Sequence, residues 1–301
     1  MHIQRGAWAE INLDAVAHNV QMAKANLKPT TKLCAVVKAD AYGHGAVRVA
    51  QEAARNGADF FAVALLQEGV KLREAGIETP ILVLGSMLPE VAEICVRYDI
   101  SHAVFDEERL YALNAAALKL HTKAKIHIKI DTGMHRIGVH VRDAGRFAKL
   151  AASLPGIYIE GVFSHFATAD ADDKQYAAYQ FERFQEALRL IEAEGVHIPI
   201  RHIANSAALT ELQEYQLDMV RQGITLYGLH PAHMIDCYKD FEPVMTVKTQ
   251  VAFVKTLPPG ETIGYGRTYT LTRPSVIATV PIGYADGVSR RLSNRGYMLV
   301  N

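Results

Sequence analysis

Cysteine, tryptophan and unbalanced charge are what this 301-residue sequence has least of: three Cys, one Trp, and 32 Lys+Arg against 32 Asp+Glu. The three cysteines, Cys34, Cys95 and Cys237, form an odd count with no CxxC spacing. That fits reduced thiols in a cytoplasm better than a disulfide framework. A nucleic-acid binder normally carries a basic excess to neutralise phosphates, so zero net charge and a pI of about 7.2 argue against that class. Long apolar runs are also missing. Stretches such as Phe60–Leu66 are far too short to cross a bilayer, so no membrane-spanning helix is expected. The residues from Met1 to Glu10 lack the apolar core of a secretory signal. Half of all residues are hydrophobic and only 21% are charged, which supports a large buried core and argues against disorder. The length exceeds the roughly 100–200 residues usual for one domain, so two domains or a barrel with an appendage are expected. A soluble, cytoplasmic, ligand-handling protein remains.

Short β-rich runs alternate with amphipathic helical stretches along most of the chain. The runs are Leu33–Lys38, Phe60–Ala64, Ile81–Leu84, His102–Phe105, Ile126–Asp131, Ile159–His165, Ile200–Ala204 and Gly223–Tyr227. Helical stretches Ala46–Asn56, Leu66–Ala75 and Tyr176–Glu194 each stop at a glycine, the common C-terminal signal. Eight strands alternating with helices match a (β/α)₈ barrel of the TIM type, of about 250 residues. A doubly wound open sheet shows the same alternation. Strand count favours the barrel, as does the placement of Lys38, Asp131 and His165 at the C-terminal ends of their runs, where barrel enzymes keep their chemistry. After about Tyr238 the helical pattern stops. Val244–Leu257, Val276–Ile282 and Tyr297–Val300 read as strands, with Pro258-Pro259-Gly260 as a turn. The expected division is a barrel over residues 1–238 and an all-β domain over 239–301, with the first ten or so residues candidates to pair with the β domain. Because Gly296–Asn301 reads as a strand entering a turn with no partner after it, the β domain is expected to be incomplete.

Five segments carry chemistry. In Val36-Val37-Lys38-Ala39-Asp40-Ala41-Tyr42-Gly43-His44-Gly45, a lysine ends an apolar run. Such a lysine either snorkels to solvent or is desolvated into the nucleophilic amine that Schiff-base chemistry needs. The loop from Tyr42 to Gly45 suits an anionic group at a following helix N-terminus. Lys129 through Gly138, containing Asp131, His135 and Arg136, reads as a solvated loop with an ion pair or as an oxyanion site. Ser164-His165 and His202-Ile203-Ala204-Asn205-Ser206 place histidines at strand ends, where structural hydrogen bonding is common. No cysteine or carboxylate stands at ligand spacing, so no metal is expected. Val220 through Gly228 contains Arg221, which could equally form a surface ion pair. In Ile263-Gly264-Tyr265-Gly266-Arg267, two glycines suit a tight loop projecting Tyr265. A tyrosine serves as a base near neutrality only if its phenolate is stabilised.

Taken together, these segments resemble the alanine racemases, a pyridoxal-phosphate family, over essentially the whole chain. Gly57 through Gly76, Pro80 through Gly85, and Pro281-Ile282-Gly283-Tyr284-Ala285-Asp286-Gly287 extend the resemblance. It implies a pyridoxal 5'-phosphate enzyme, with Lys38 binding the cofactor covalently and Tyr42 among the residues that hold it. It further implies that His165 and His202 lie near the cofactor ring and that Ser206 bonds its phosphate, with Asn205 beside it. The amides of Gly223 and Ile224 would cradle that phosphate. Arg221 would face the pyridine nitrogen. Arg136 would reach the ring hydroxyl and the substrate carboxylate, held by Lys129, which is often carbamylated in the family. Lys38 and Tyr265 would be the two catalytic bases, serving D-alanine and L-alanine respectively, and Tyr284 would line the mouth of the site.

The resemblance implies a homodimer in which the partner supplies the tyrosine, and D-alanine production for peptidoglycan. Family members continue well past residue 301, with a methionine–aspartate pair and a phosphate-contacting tyrosine in that portion. The 301-residue chain is therefore expected to be truncated and weakly active or inactive. Other readings stand beside this one: a racemase of broader specificity, a same-fold decarboxylase, or a non-catalytic cofactor-binding protein. Arg221 weighs against the decarboxylase, and the Tyr265 segment against the non-catalytic protein.

Overall fold

A computed structural model describes residues 6–231 and 238–300; the Cys237 thiol and the start of the N-terminal segment fall outside them. The described residues divide into two compact units. Residues 12–244 form one, and residues 6–11 together with 245–300 form the other.

In the first unit eight parallel strands follow in chain order: Lys32–Val36, Phe60–Val63, Ile81–Val83, Ser101–Val104, Ala124–Asp131, Ile157–Phe163, Ile200–His202 and Met219–Gln222. The last lies beside the first. Asp218 N bonds Arg201 O and Arg221 N bonds Ala204 O, each at 3.1 Å, which draws the remaining edges together. The result is a nearly closed (β/α)₈ barrel; an open sheet would leave two free edges. Alternate residues of the strands fill its interior, where Cys34, Val36, Phe60, Ala62, Leu82, Ile200 and Met219 form one apolar cluster.

Helices Ala46–Arg55, Leu66–Glu74 and Gln175–Ala193 lie where the periodicity puts them. In each, a single residue separates the helix from a glycine (Gly57, Gly76, Gly195) at φ 99°, 82° and 74°, a left-handed turn that closes the last carbonyls.

Three expectations about elements are corrected. The eighth strand is Met219–Gln222, and Ile224–Tyr227 is a 3₁₀ turn. Gly223, at φ −103° and ψ −100°, leaves the extended region, after which Thr225, Leu226 and Tyr227 bury themselves as a turn. A short apolar run has no periodicity to separate these outcomes. Lys38 and His165 lie two residues beyond their strands, which end at Val36 and Phe163. Tyr297–Val300 forms no ladder, because no described segment pairs with it.

In the β unit, Ala7–Ile11 pairs antiparallel with Met245–Thr249, and Phe253–Leu257 with Ser275–Thr279. The run Val244–Leu257 is thus two strands. A small hairpin, Thr262–Ile263 with Tyr269–Thr270, carries the Tyr265 turn at its tip.

Candidate active site

A cavity of about 650 Å³ opens beyond the C-terminal ends of the barrel strands. Lys38, Tyr42, Lys129, Arg136, His165, Asn205, Ser206, Arg221, Gly223 and Ile224 all line it, with apolar surface from Val36, Met134, Phe163 and Phe166. His202 stands behind this wall, fully buried.

Lys38 opens an unusual piece of backbone. Ala39, Asp40, Ala41 and Tyr42 all have φ between 51° and 55°. Left-handed helix costs L-residues roughly 1–2 kcal/mol each, so four in succession need support. Ala41 N bonds Val37 O at 2.9 Å and Gly45 N bonds Asp40 O at 2.9 Å. The Asp40 carboxylate accepts from Ala46 N at 3.0 Å, capping the next helix, and from Lys71 Nζ at 3.2 Å. Glu68 clamps the start of the turn: its carboxylate accepts from Ala39 N (2.5 Å), Ala64 N (2.8 Å) and Leu65 N (3.0 Å). Lys38 is thereby aimed into the cavity, 5.8 Å from the Tyr42 ring centre. Burial lowers its pKa below the usual lysine value, and the nearby Arg136 and Arg221 charges lower it further against a partial offset from Glu68. A larger neutral-amine fraction makes a better nucleophile.

One end of the cavity is built for an anion. Ser206, buried, receives Gly223 N at 2.8 Å, Thr225 N at 3.4 Å and the Thr225 hydroxyl at 3.2 Å. A Cβ placed on Gly223 would stand 3.5 Å from the Tyr42 hydroxyl and 3.6 Å from Ser206 Oγ. Two hydroxyls and backbone amides therefore converge on one small space. Asn205 caps the helix Ser206–Glu211 through Ala208 N (3.1 Å), so it acts on Ser206 through the backbone.

At the other end Arg221, only 3% exposed, donates to His202 Nδ1 (2.6 Å), His165 Nδ1 (2.9 Å), Ser164 O (2.9 Å) and Ile203 O (3.0 Å). Every one of these acceptors is uncharged. Burial pushes the guanidinium down to about 10, so it stays protonated at neutral pH. Burial, followed by the Arg221 charge, holds His165 and His202 well below the usual histidine value, so both are neutral imidazoles. Lys129 is 4% exposed; its amine donates to Ile130 O at 3.3 Å and lies 5.0 Å from the Phe163 ring centre. Arg136 is exposed at the cavity wall and has no ion-pair partner among the described residues.

Tyr265 and Tyr284 belong to the β unit. Tyr265 stands between Gly264 and Gly266 with 89% of its surface exposed, and Tyr284 with 67%. Three residues outside the motifs of the sequence reading join the site in three dimensions: Glu68, His127 and Glu160. His127 bonds His202 and Glu160 inside the barrel. A charged residue in the first turn of a helix is a visible signal for Glu68; nothing in the sequence distinguishes the other two.

Comparison with known proteins covers both units. A family model described as the alanine racemase N-terminal domain matches residues 11–231, and one described as the C-terminal domain matches residues 244–301. A protein of Desulfovibrio desulfuricans named alanine racemase is 46% identical over 98% of this chain and 80% of its own length. A solved alanine racemase of Clostridium difficile superposes with a TM-score of 0.90 at 40% identity, covering 96% of this chain and 76% of that one. One from a D-cycloserine-producing Streptomyces lavendulae gives 0.92 at 36% identity, covering 98% and 78%.

Proposed function

The chain belongs to the alanine racemase family, and from that premise we propose that Lys38 and Tyr265 carry the two proton transfers by which it interconverts L- and D-alanine. Racemisation of alanine is the activity of the enzyme. Pyridoxal 5'-phosphate is the family's cofactor, and the barrel cavity fits it. Lys38 offers a desolvated amine for covalent attachment. Ser206, Tyr42 and the amides of Gly223 and Ile224 suit its phosphate, and Arg221 suits its pyridine nitrogen. When bound, the group supplies an electron sink that acidifies the substrate Cα–H bond.

The chain's own residues hold the substrate and move the proton. Arg136, in the cavity wall without an ion-pair partner among the described residues, can hold the substrate carboxylate with a planar fork. Lys38 Nζ removes or returns the Cα proton on the D-alanine side, and Tyr265 Oη does so on the L-alanine side. His165 and His202, kept neutral, fix Arg221 without competing for its charge. An arginine at the pyridine nitrogen cannot hand over its proton near neutrality, so electron withdrawal is moderate and proton return outruns other outcomes. A decarboxylase would be expected to put an acid there. The buried Arg221, whose described partners include no carboxylate, is the single observation that carries this reading.

The enzyme is further proposed to act in the cytoplasm as a homodimer whose partner contributes Tyr265 and Tyr284, supplying D-alanine for peptidoglycan. The β unit supports this association, for Val247, Phe253, Val254 and Val276 are all more than half exposed.

The test is borohydride reduction of cofactor-loaded protein followed by peptide mapping. A phosphopyridoxyl group on Lys38 is expected. Modification of another lysine, or none, refutes the assignment.

A further inference from the structure

Behind Arg221 a line of polar side chains crosses the barrel interior, and we propose that two of them, His127 and Glu160, are positioning residues that lock the His202 tautomer on which Arg221 rests. The inference depends on the reading that Arg221 faces the cofactor. A guanidinium can only donate. His202 Nδ1, at 2.6 Å from it, must therefore accept. Neutral His202 then carries its proton on Nε2 and donates to His127 Nδ1 at 2.9 Å. His127 in turn carries its proton on Nε2 and donates to the Glu160 carboxylate at 3.0 Å. The Ser101 hydroxyl donates to that same oxygen at 2.5 Å. Direction is fixed at both ends, by a donor that cannot accept and by a carboxylate that cannot donate.

The backbone is shaped around this line. The register between Ala124–Asp131 and Ile157–Phe163 slips between Ile126, opposite Ile159, and His127, opposite Gly161. Glu160 is the extra residue of that bulge, a device that re-aims side chains. At Gly161 a Cβ would lie 2.4 Å from His127 Nδ1 and 2.6 Å from its Cε1, so only glycine leaves room for the ring. His127 and His202 are fully buried, where branched apolar residues usually fill a barrel. Buried polar chains persist at no loss only when every member is satisfied, as here. Glu160 also answers the Arg221 charge across two imidazoles, the guanidinium having no carboxylate of its own.

Without His127, the buried Nε2–H of His202 loses its acceptor, a cost that opposes the tautomer Arg221 favours and drives the proton toward Nδ1. A donor would then face the guanidinium at hydrogen-bond distance, and Arg221 would shift. The experiment uses cofactor-loaded protein labelled with ¹⁵N-histidine, and long-range ¹H–¹⁵N correlation reads each tautomer. Wild-type His127 and His202 are expected as Nε2–H. In His127→Leu, His202 is expected to lose that single form. Its kcat should fall about tenfold or more, the scale of a small misplacement, while KM for alanine moves less than about threefold. Glu160→Gln keeps an acceptor oxygen and is expected to keep both tautomers with a kcat loss under about threefold. A merely structural role would lower the melting temperature and leave the His202 tautomer alone. Nδ1–H His202 in the wild type, or an unchanged tautomer and kcat in folded His127→Leu, overturns the proposal. Should that variant not fold, the wild-type tautomers decide. Wild-type protein with the expected tautomers but no phosphopyridoxyl group on Lys38 after borohydride reduction would sink the functional reading instead.

Discussion

Gly161→Ala is a small change whose cost can be worked from the geometry of the barrel interior. The added methyl would meet His127 Nδ1 at 2.4 Å, His127 Cε1 at 2.6 Å and Ile200 O at 2.7 Å. None of these is the loose end of a flexible side chain. Ile200 O belongs to a barrel strand, and the His127 ring is held at both nitrogens. Overpacking a core of this kind costs about 1–3 kcal/mol. The ring must also shift, and a neighbour that loses its partner in the interior adds about 1–3 kcal/mol. The combined loss is roughly 2–6 kcal/mol, against a typical total stability of about 5–15 kcal/mol. At about 2–4 °C per kcal/mol for a unit of this size, the barrel should melt roughly 5–20 °C lower. Calorimetry on wild type, Gly161→Ala and the control Gly283→Ala would read this. A Cβ on Gly283 meets nothing within 4 Å, and its φ of −166° is ordinary extended backbone. The control should melt within about 1 °C of wild type. A Gly161→Ala melting within about 2 °C of wild type would refute the claim that the bulge leaves no room beside His127.

Two other substitutions probe the proton-transfer assignment and the pH dependence of the barrel. In a full-length, active form, Tyr265→Phe keeps the ring but removes the oxygen, so exchange of the α-proton for solvent deuterium should fall far more from L-alanine than from D-alanine; equal losses would defeat the assignment of Tyr265 to one face. His102, fully buried with Nε2 unpartnered, is held down to about 4, chiefly by burial, with the Arg109 charge adding and the bond to Ala103 O opposing. Its unfolded form takes up a proton below about 6.5 while the folded form does not, so its contribution is whole above that pH and is lost as pH falls toward 4. Between pH 7.5 and pH 5, urea unfolding should show His102→Leu losing about 2 kcal/mol less than wild type. Equal losses in the two proteins would show that His102 is not the neutral, buried group described.

The barrel is legible in the sequence because strand and helix periods alternate and because glycine closes the helices at Gly57, Gly76 and Gly195. The cavity lining is legible because Lys38, Tyr42, Arg221, Gly223 and Ile224 lie in contiguous motifs, and the barrel brings them to one cavity. The features that escape depend on long-range geometry. Ile126–Asp131 reads as a short strand in which His127 could face either side, and the bulge that brings Glu160 inward leaves no local trace. The left-handed turn after Lys38 is built from Ala39, Asp40, Ala41 and Tyr42, residues that do not favour it by themselves. Glu68, on a later helix, supplies the hydrogen bond that holds its start. Gly223–Tyr227 reads as a strand because a short, mostly apolar run packs equally well as a strand or as a turn.

The charges around the cavity leave one group out of balance. Lys38, Lys129, Arg136 and Arg221 line it, and Asp170 is the sole carboxylate among the described lining residues. Burial, then the Arg221 charge, pushes Lys129 well below the usual lysine value, Arg136 adding to this and Asp131 opposing it. A larger share of its amine is therefore neutral than in an ordinary lysine, and the neutral amine is the form that attacks carbon dioxide. We propose that Lys129 is carbamylated: the amine nitrogen bonds the carbon of CO₂, a proton leaves to solvent, and a carbamate anion results. That anion would reduce the cationic surplus and give Arg136, which has no ion-pair partner among the described residues, a carboxylate-like partner to lean on. ¹³C-bicarbonate added to the folded protein should yield a carbamate resonance that is absent in Lys129→Ala. No such resonance near neutral pH, or the same resonance in the variant, would leave Lys129 as a plain buried amine and Arg136 without its support.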